Sequence, residues 1–419
     1  MIVGLLVINL LFLAFSPFLL QFFNVSILLA LSYFSGGNEK QSIFITAVFF
    51  AMLGILIHVM SLPNLLEQSD DFVTYYNNYY AINHGDLSKL FQFGGGFEIG
   101  LPLLHWLFSG VINGDLPYVL KLFHCIILII IFLYLCFKVS EYYGLSLKDQ
   151  CLLFACLICF FKLSLGFYFL RQGYASLFLL LSLFHRNKVA TYFLFLLACF
   201  FHLASLVIYP LVRFLLFSEN KRNQFLFCVF CASLGGVLFL SINVLAKINF
   251  SIPFLEKLNF IFTYLSNYDY IISSFKKTII SSLYIIPLIL VLSISKKNNE
   301  NFRFGIFNIL SIMFFLLSFS FLPNVTVRVL MPILTFFVGG VYFLVLVRYH
   351  GVLLRFIFPF FMLLALNINW VFKDSAHYFN FPPVGFVPFY YVNTDFYESN
   401  NIIRSNLPTE YHLNNMNKF

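Results

Sequence analysis

HRNKVATYFLFLLACFFHLASLVIYPLVRFLLFSENKR, residues 185–222, decides how this chain folds. Basic residues close both ends: Arg186 and Lys188 on one side, Lys221 and Arg222 on the other. The apolar stretch between them is long enough for one membrane span of roughly 20 residues. Short basic loops stay on the cytoplasmic side of a bilayer, so both ends belong on the same face. The chain must therefore turn back, and His202 is the polar residue at the midpoint. The two arms, 189–201 and 203–217, hold 13 and 15 residues. At 1.5 Å per residue, each reaches roughly 20 Å into a hydrocarbon core of roughly 30 Å. A backbone turn at that depth survives only when buried or lining a wet cavity. The stretch therefore predicts an outward-opening pocket with His202 in its wall.

The surrounding sequence makes the membrane reading general. Of 419 residues, 61% are hydrophobic and 21% aromatic, and only 10% are charged, against roughly 25% charged in an ordinary soluble domain. The apolar runs are continuous rather than alternating, which excludes an outer-membrane barrel. The pattern is that of an all-α polytopic membrane protein with about 12 transmembrane helices, at 3–33, 42–62, 118–138, 150–168, 171–185, 189–201, 203–217, 224–245, 278–295, 304–322, 328–348 and 355–372. The first contains Pro17 and Asn24 and is either kinked or two pieces. Met1–Gln21 lacks a basic start and a clear cleavage site, so it reads as a retained span.

Parity extends the topology. Residues 97–113 are apolar but short, and a crossing there would move every later loop to the wrong face; they read as a re-entrant or surface-lying helix on the outer side. A single membrane domain, 1–372, then carries an outer segment at 63–117 and an outer loop at 246–277, followed by an outer tail, 373–419, rich in Tyr, Phe, Pro and Asn. The loops assigned to the inside hold thirteen Lys and Arg against five Asp and Glu, which accounts for the whole net charge of +8. The charge is thus a topology signal and not a nucleic-acid footprint. This is the pattern of an inner-membrane type of protein with its pocket facing outward.

Ionisable groups beside apolar runs are costly and mark functional candidates. Arg171 falls at the outer end of a short helix near the level of His202, where it reads as an anion clamp or a snorkelling arginine. Arg328 opens another span from outside with the same two readings. Lys276-Lys277 faces a diphosphate or lipid head groups. Asp70 and Asp71 precede Phe72-Val-Thr-Tyr75 and read as a general base or as a helix N-terminal pair. Glu98 follows Gly94-Gly95-Gly96, which indicates backbone freedom around a ligand or a loop-to-helix join. All eight cysteines lie in apolar runs and read as packed or lipid-facing thiols. No metal-ligand spacing, phosphate-binding Gly-Lys-Ser/Thr or nucleophile elbow occurs, so no metal and no cofactor is expected.

Taken in order, Asp71-Phe-Val-Thr-Tyr75, Phe97-Glu98-Ile-Gly100, Arg171-Gln172-x-x-Ala175, Phe201-His202-x-x-Ser205 and Arg328 resemble the EpsG-like branch of the Wzy-type polysaccharide polymerases. Phe72 stands where tyrosine is usual in that family and Ile99 where proline is usual, and Leu203-Ala204 lengthens the spacing to Ser205. The resemblance implies a GT-C-like glycosyltransferase of a bacterial inner membrane that uses undecaprenyl-diphosphate-linked oligosaccharides as donor and acceptor at the periplasmic face, without a metal. Membrane lipids and a chain-length regulator are the further partners it implies. On that reading Arg171 and Arg328 stabilise the diphosphate leaving group, Asp71 or Glu98 takes the acceptor proton, and His202 positions a substrate. Asp70, Tyr75, Gln172, Lys276 and Lys277 complete the substrate contacts. The competing readings are an O-antigen ligase, which shares the donor, and a lipid-linked oligosaccharide flippase.

Overall fold

A computed structural model of the chain describes residues 2–33, 39–61, 71–112, 117–241, 268–283, 285–289, 304–322 and 325–347. Among these every regular element is a helix. Helices α1 (Ile2–Phe15), α2 (Pro17–Tyr33), α3 (Lys40–Ser61), α4 (Asp71–Asn83), α5 (Gly100–Ser109) and α6 (Pro117–Tyr143) are followed by α7 (Leu147–Phe160), α8 (Leu163–Tyr168), α9 (Leu170–Phe184), α10 (Lys188–Phe201), α11 (Ser205–Phe217) and α12 (Lys221–Leu240). Then come α13 (Tyr268–Leu283), α14 (Ile306–Ser318), α15 (Val325–Val329), a π-helical turn (Pro332–Phe337) and α16 (Val338–Leu346). Among the described residues three helical stretches, Lys40–Met60, Val119–Tyr143 and Lys221–Leu240, are long and apolar enough to cross a membrane alone, and seven further apolar helical stretches are shorter. The chain is a helical membrane protein. The span at 355–372, the tail 373–419, Asp70 and residues 246–267 of the outer loop lie outside the described residues.

The sequence left 3–33 open, and the structure resolves it into two helices folded back on each other. Asn24 Nδ2 donates to Asn9 Oδ1 at 2.5 Å, and the rings of Phe12 and Phe23 lie 5.0 Å apart. The expected span at 150–168 also divides, at Phe161–Lys162, because Phe161 takes an extended conformation. The break exposes a backbone donor, and Lys162 N–H gives its hydrogen bond to Thr335 O at 3.2 Å. Residues 268–277, expected in the outer loop, are already helical as the first turns of α13. Helix α5 has 10 residues, about 15 Å, which is too short to cross a bilayer.

The described chain clusters into two compact units. The described residues up to Leu206, with Thr335–Phe343, form the first; those from Val207 to Leu334, with 344–347, form the second. In the first unit α2 packs along α3 and α7, and α9 packs between α6 and α10. Small residues permit these approaches: a Cβ on Gly54 would lie 2.7 Å from Pro17 O, and one on Gly339 would lie 2.2 Å from Cys156 O. The α9–α10 turn uses the polar loop that the sequence marked. Asn187 Oδ1 accepts from Val189 N–H and Ala190 N–H, capping α10. In the second unit α12 packs on α14, where Gly235 meets Ser318 O, and Asn308 Nδ2 donates to Leu215 O and Ser218 O.

Candidate active site

The first unit gathers three chain segments around one carboxylate. Gly94, Gly95 and Gly96 have φ of +59°, +66° and +91°, a left-handed run that residues with a Cβ resist by roughly 1–2 kcal/mol each. This turn brings Glu98 back against Gly94, where an added Cβ would sit 2.4 Å from Glu98 Cγ. Helix α5 begins two residues later. Helix α9 starts at a sharp break: Phe169 ends α8 and caps α9 with φ −101° and ψ 59°. The close crossing of Gly173 over Gly166 sets that bend, since a Cβ on Gly173 would lie 2.2 Å from Gly166 O. Arg171 is thereby aimed at Glu98. Helix α10 ends at Phe201, and His202 is extended (φ −156°, ψ 113°) before α11 begins at Ser205.

Arg171 Nη1 donates to Glu98 Oε2 in a close ion pair. His202 Nδ1 lies 2.9 Å from Glu98 Oε1, and Leu203 N–H donates to the same oxygen at 3.0 Å. Arg171 and His202 are 31 positions apart in sequence, and here they share one carboxylate. The glutamate side chain is 1% exposed, whereas Arg171 and His202 retain 24% and 21%. Burial on its own would raise the Glu98 pKa. The His202 hydrogen bond, the Arg171 charge and the Leu203 amide outweigh it and hold the carboxyl at about 2. Because both carboxylate oxygens are engaged, the imidazole proton next to Glu98 lies on Nδ1. None of the described hydrogen bonds involves His202 Nε2.

Aromatic rings frame the cation. The guanidinium carbon of Arg171 lies 4.4 Å from the centroid of Phe93 and 6.0 Å from that of Tyr75. Tyr75 also hydrogen-bonds the arginine through its side chain. Asp71 opens α4 one turn before Tyr75, where its charge suits the helix N-terminus. Phe72, beside it, packs at a tilt on Phe167 with ring centroids 4.7 Å apart, and Lys121 Nζ lies 5.6 Å from the Phe167 ring. Gln172 is buried next to Arg171. Phe201 is wedged between the Tyr174 ring, 4.9 Å away, and Gly100, where a Cβ would come within 2.7 Å of the ring. That wedge fixes the residue preceding His202.

Lys276 and Arg328 belong to the second unit and are exposed there. Their helices, α13 and α15, meet through Thr278 and Thr326, whose hydroxyl oxygens are 3.3 Å apart. The side chain of Lys277 and all of Asp70 lie outside the described residues. Phe93, the Leu203 amide and Lys121 were not among the expected site residues. Phe93 and Leu203 enter through ring stacking and a backbone N–H, which no sequence pattern marks. Lys121, 4% exposed one turn inside α6, carries the signal of a charged residue at the start of an apolar run.

Residues 62–383 match the family model described as the EpsG family. The chain belongs to the EpsG family. No curated protein and no solved structure matches it. Membership of the EpsG family points to a polysaccharide-polymerase type of function in a membrane protein. The EpsG match covers Glu98, Arg171 and His202, and Arg328 as well.

Proposed function

We propose that this EpsG-family chain polymerises polysaccharide repeat units. It transfers a growing undecaprenyl-diphosphate-linked glycan onto the non-reducing-end sugar of a new lipid-linked unit, at the periplasmic face of a bacterial inner membrane. The observation that carries this reading is the shared carboxylate. Glu98 holds a cation and an imidazole side by side, and each keeps a partly exposed surface.

In the transfer, the acceptor hydroxyl attacks the anomeric carbon of the donor glycan. The bond from that carbon to the diphosphate oxygen breaks, and the lipid diphosphate leaves with the electron pair. Charge grows on the leaving diphosphate, and the guanidinium of Arg171 stabilises it there. Its fixed charge does the work that a divalent cation does elsewhere. The hydroxyl proton goes to Nε2 of His202, whose Nδ1 is held by Glu98. With both oxygens engaged and its carboxyl held at about 2, Glu98 orients the other two groups in place of accepting the proton. Asp71 and Tyr75, one turn apart on α4, line the acceptor side. Lys276, Lys277 and Arg328, in the second unit, are assigned by themselves to lipid head groups.

The test is the surface-polysaccharide ladder of a deletion strain complemented at matched protein level. The expected deletion phenotype is a single repeat unit on the lipid core, with the ladder restored by wild type and not by Arg171→Ala. Accumulation of lipid-linked polymer would point to a ligase, and accumulation of single units on the cytoplasmic side to a flippase.

A further inference from the structure

Behind the site lies a buried chain of polar groups that the proposed chemistry does not use. Tyr174 on α9 places its hydroxyl 2.9 Å from His124 Nδ1 on α6. His124 Nε2 lies 3.1 Å from His105 Nε2 on α5, and His105 Nδ1 lies 2.7 Å from Asn78 Oδ1 on α4. Asn78 Nδ2 donates to Lys89 O at 2.8 Å and to Gln92 Oε1 at 2.9 Å. Tyr174, His124, His105 and Asn78 each have no exposed surface.

The proton positions follow from one end. A backbone carbonyl only accepts, so the Asn78 amide nitrogen faces Lys89 O and its oxygen faces His105. His105 must then carry its proton on Nδ1, which leaves Nε2 as a lone pair. His124 must donate to that lone pair from its own Nε2, so its Nδ1 accepts, and the Tyr174 hydroxyl donates to it. Every bond is satisfied with all groups neutral, and all of them point one way. Two other arrangements keep the bonds: a His124 imidazolium donating from both nitrogens, or a His105 imidazolium with His124 reversed, each with the Tyr174 hydroxyl turned to His124 O at 3.5 Å. Either places a full charge where there is no exposure. Among the described residues no carboxylate is a hydrogen-bond or ring partner of the pair; the titratable rings that meet it are Tyr79 and Tyr174, with the Cys125 thiol beside Tyr174. An uncompensated buried charge is costly; burial accordingly lowers the imidazole of His105 to about 3. Nor does the pair form a metal centre, since among the described residues no group of three His, Cys, Asp or Glu gathers.

We propose that His105 and His124 are positioning residues: with Asn78 and Tyr174 they form an uncharged, one-directional hydrogen-bonded clasp that sets the four helices around the site. Tyr174 sits one turn after Arg171, Asn78 one turn after Tyr75, and His105 two turns after Glu98, while Gln92 precedes Phe93. A clasp without charge fixes these registers and does not compete with Arg171 for a diphosphate or with His202 for Glu98. The positioning role rests on the function proposed above; the protonation pattern does not.

The experiment is solid-state NMR of 15N-histidine-labelled protein in membranes between pH 5 and 8, followed by turnover of Tyr174→Phe. A proton correlated with two imidazole nitrogens identifies the His105–His124 bond without any variant. The expected result is two neutral rings of opposite tautomer, unchanged across the range; an imidazolium at either ring overturns the proposal. Tyr174→Phe keeps the ring on Phe201 and removes the terminal donor. Its turnover per folded molecule should fall roughly tenfold to a hundredfold, with KM within about twofold and the pH profile unmoved. Unchanged turnover, or a shifted pH profile, rejects the positioning role. If the chain proves not to be a polymerase, the tautomer result still stands or falls alone.

Discussion

Glu98 is the residue on which the site depends, because three donors from two distant segments end on it. Replacing it with glutamine leaves Arg171 without a counter-charge beside Phe93. Breaking a buried pair in this way costs about 3–5 kcal/mol, and the partial exposure of Arg171 puts this case at the lower end. Glu98→Gln should therefore melt at a lower temperature than wild type at neutral pH and lose polymer formation. The pH dependence has a definite sign. A carboxyl whose folded pKa lies near 2, below its ordinary 4.5, contributes stability that is fully present above 4.5 and lost as pH falls through about 2. Melting curves of both proteins from pH 7 to pH 2 should converge at the acid end. A gap that stays constant down to pH 2 would show that Glu98 is not held ionised by its partners.

At the scale of elements, the site is made by helix ends. The α8–α9 break aims Arg171, the end of α10 aims His202, and the Gly94–Gly96 turn aims Glu98. Gly94 combines a left-handed φ with a position where a Cβ collides with the Glu98 side chain. Gly85 has an equally left-handed φ of +91° but nothing within 4 Å of an added Cβ. Both Gly→Ala changes bear roughly 1–2 kcal/mol of backbone strain, and only Gly94→Ala displaces the carboxylate. Polymer yield at matched protein level should drop about a hundredfold for Gly94→Ala and stay near wild type for Gly85→Ala. Equal loss in the two variants would mean that backbone strain alone, and not the placement of Glu98, explains the effect.

Across the whole molecule, orientation in the membrane rests on the basic loops. The fold-back of α1 on α2 leaves the parity argument for everything after Lys40 unaffected. The Asn187 and Asn220 caps sit in the two loops assigned to the cytoplasm. All eight native cysteines are buried and none is in a disulfide, so introduced thiols report with little background. Asn187→Cys and Asn220→Cys should both label in inside-out vesicles and resist an impermeant maleimide in intact spheroplasts. Labelling from opposite faces would mean that the 189–217 segment crosses once, and the outward pocket would be lost.

Much of this was legible in the residues themselves. Hydropathy and loop charge are local, additive properties, so the helical membrane class, a helix break at His202 and the short α5 followed from the sequence of 419 residues alone. The glycine run before Glu98 announced an unusual backbone, because only glycine adopts consecutive left-handed φ cheaply. What the sequence left open required distances between segments far apart in the chain. Nothing local says that Glu98, 73 positions before Arg171, takes both Arg171 and His202, or that it is thereby occupied on both oxygens. The division of 3–33 into two antiparallel helices depends on Asn9 meeting Asn24, and the break at Phe161 on a carbonyl supplied by Thr335. The tautomers of His105 and His124 depend on a lone pair at Lys89 O. Each is a pairing of directional groups across the fold, and direction is fixed only when the helices have packed.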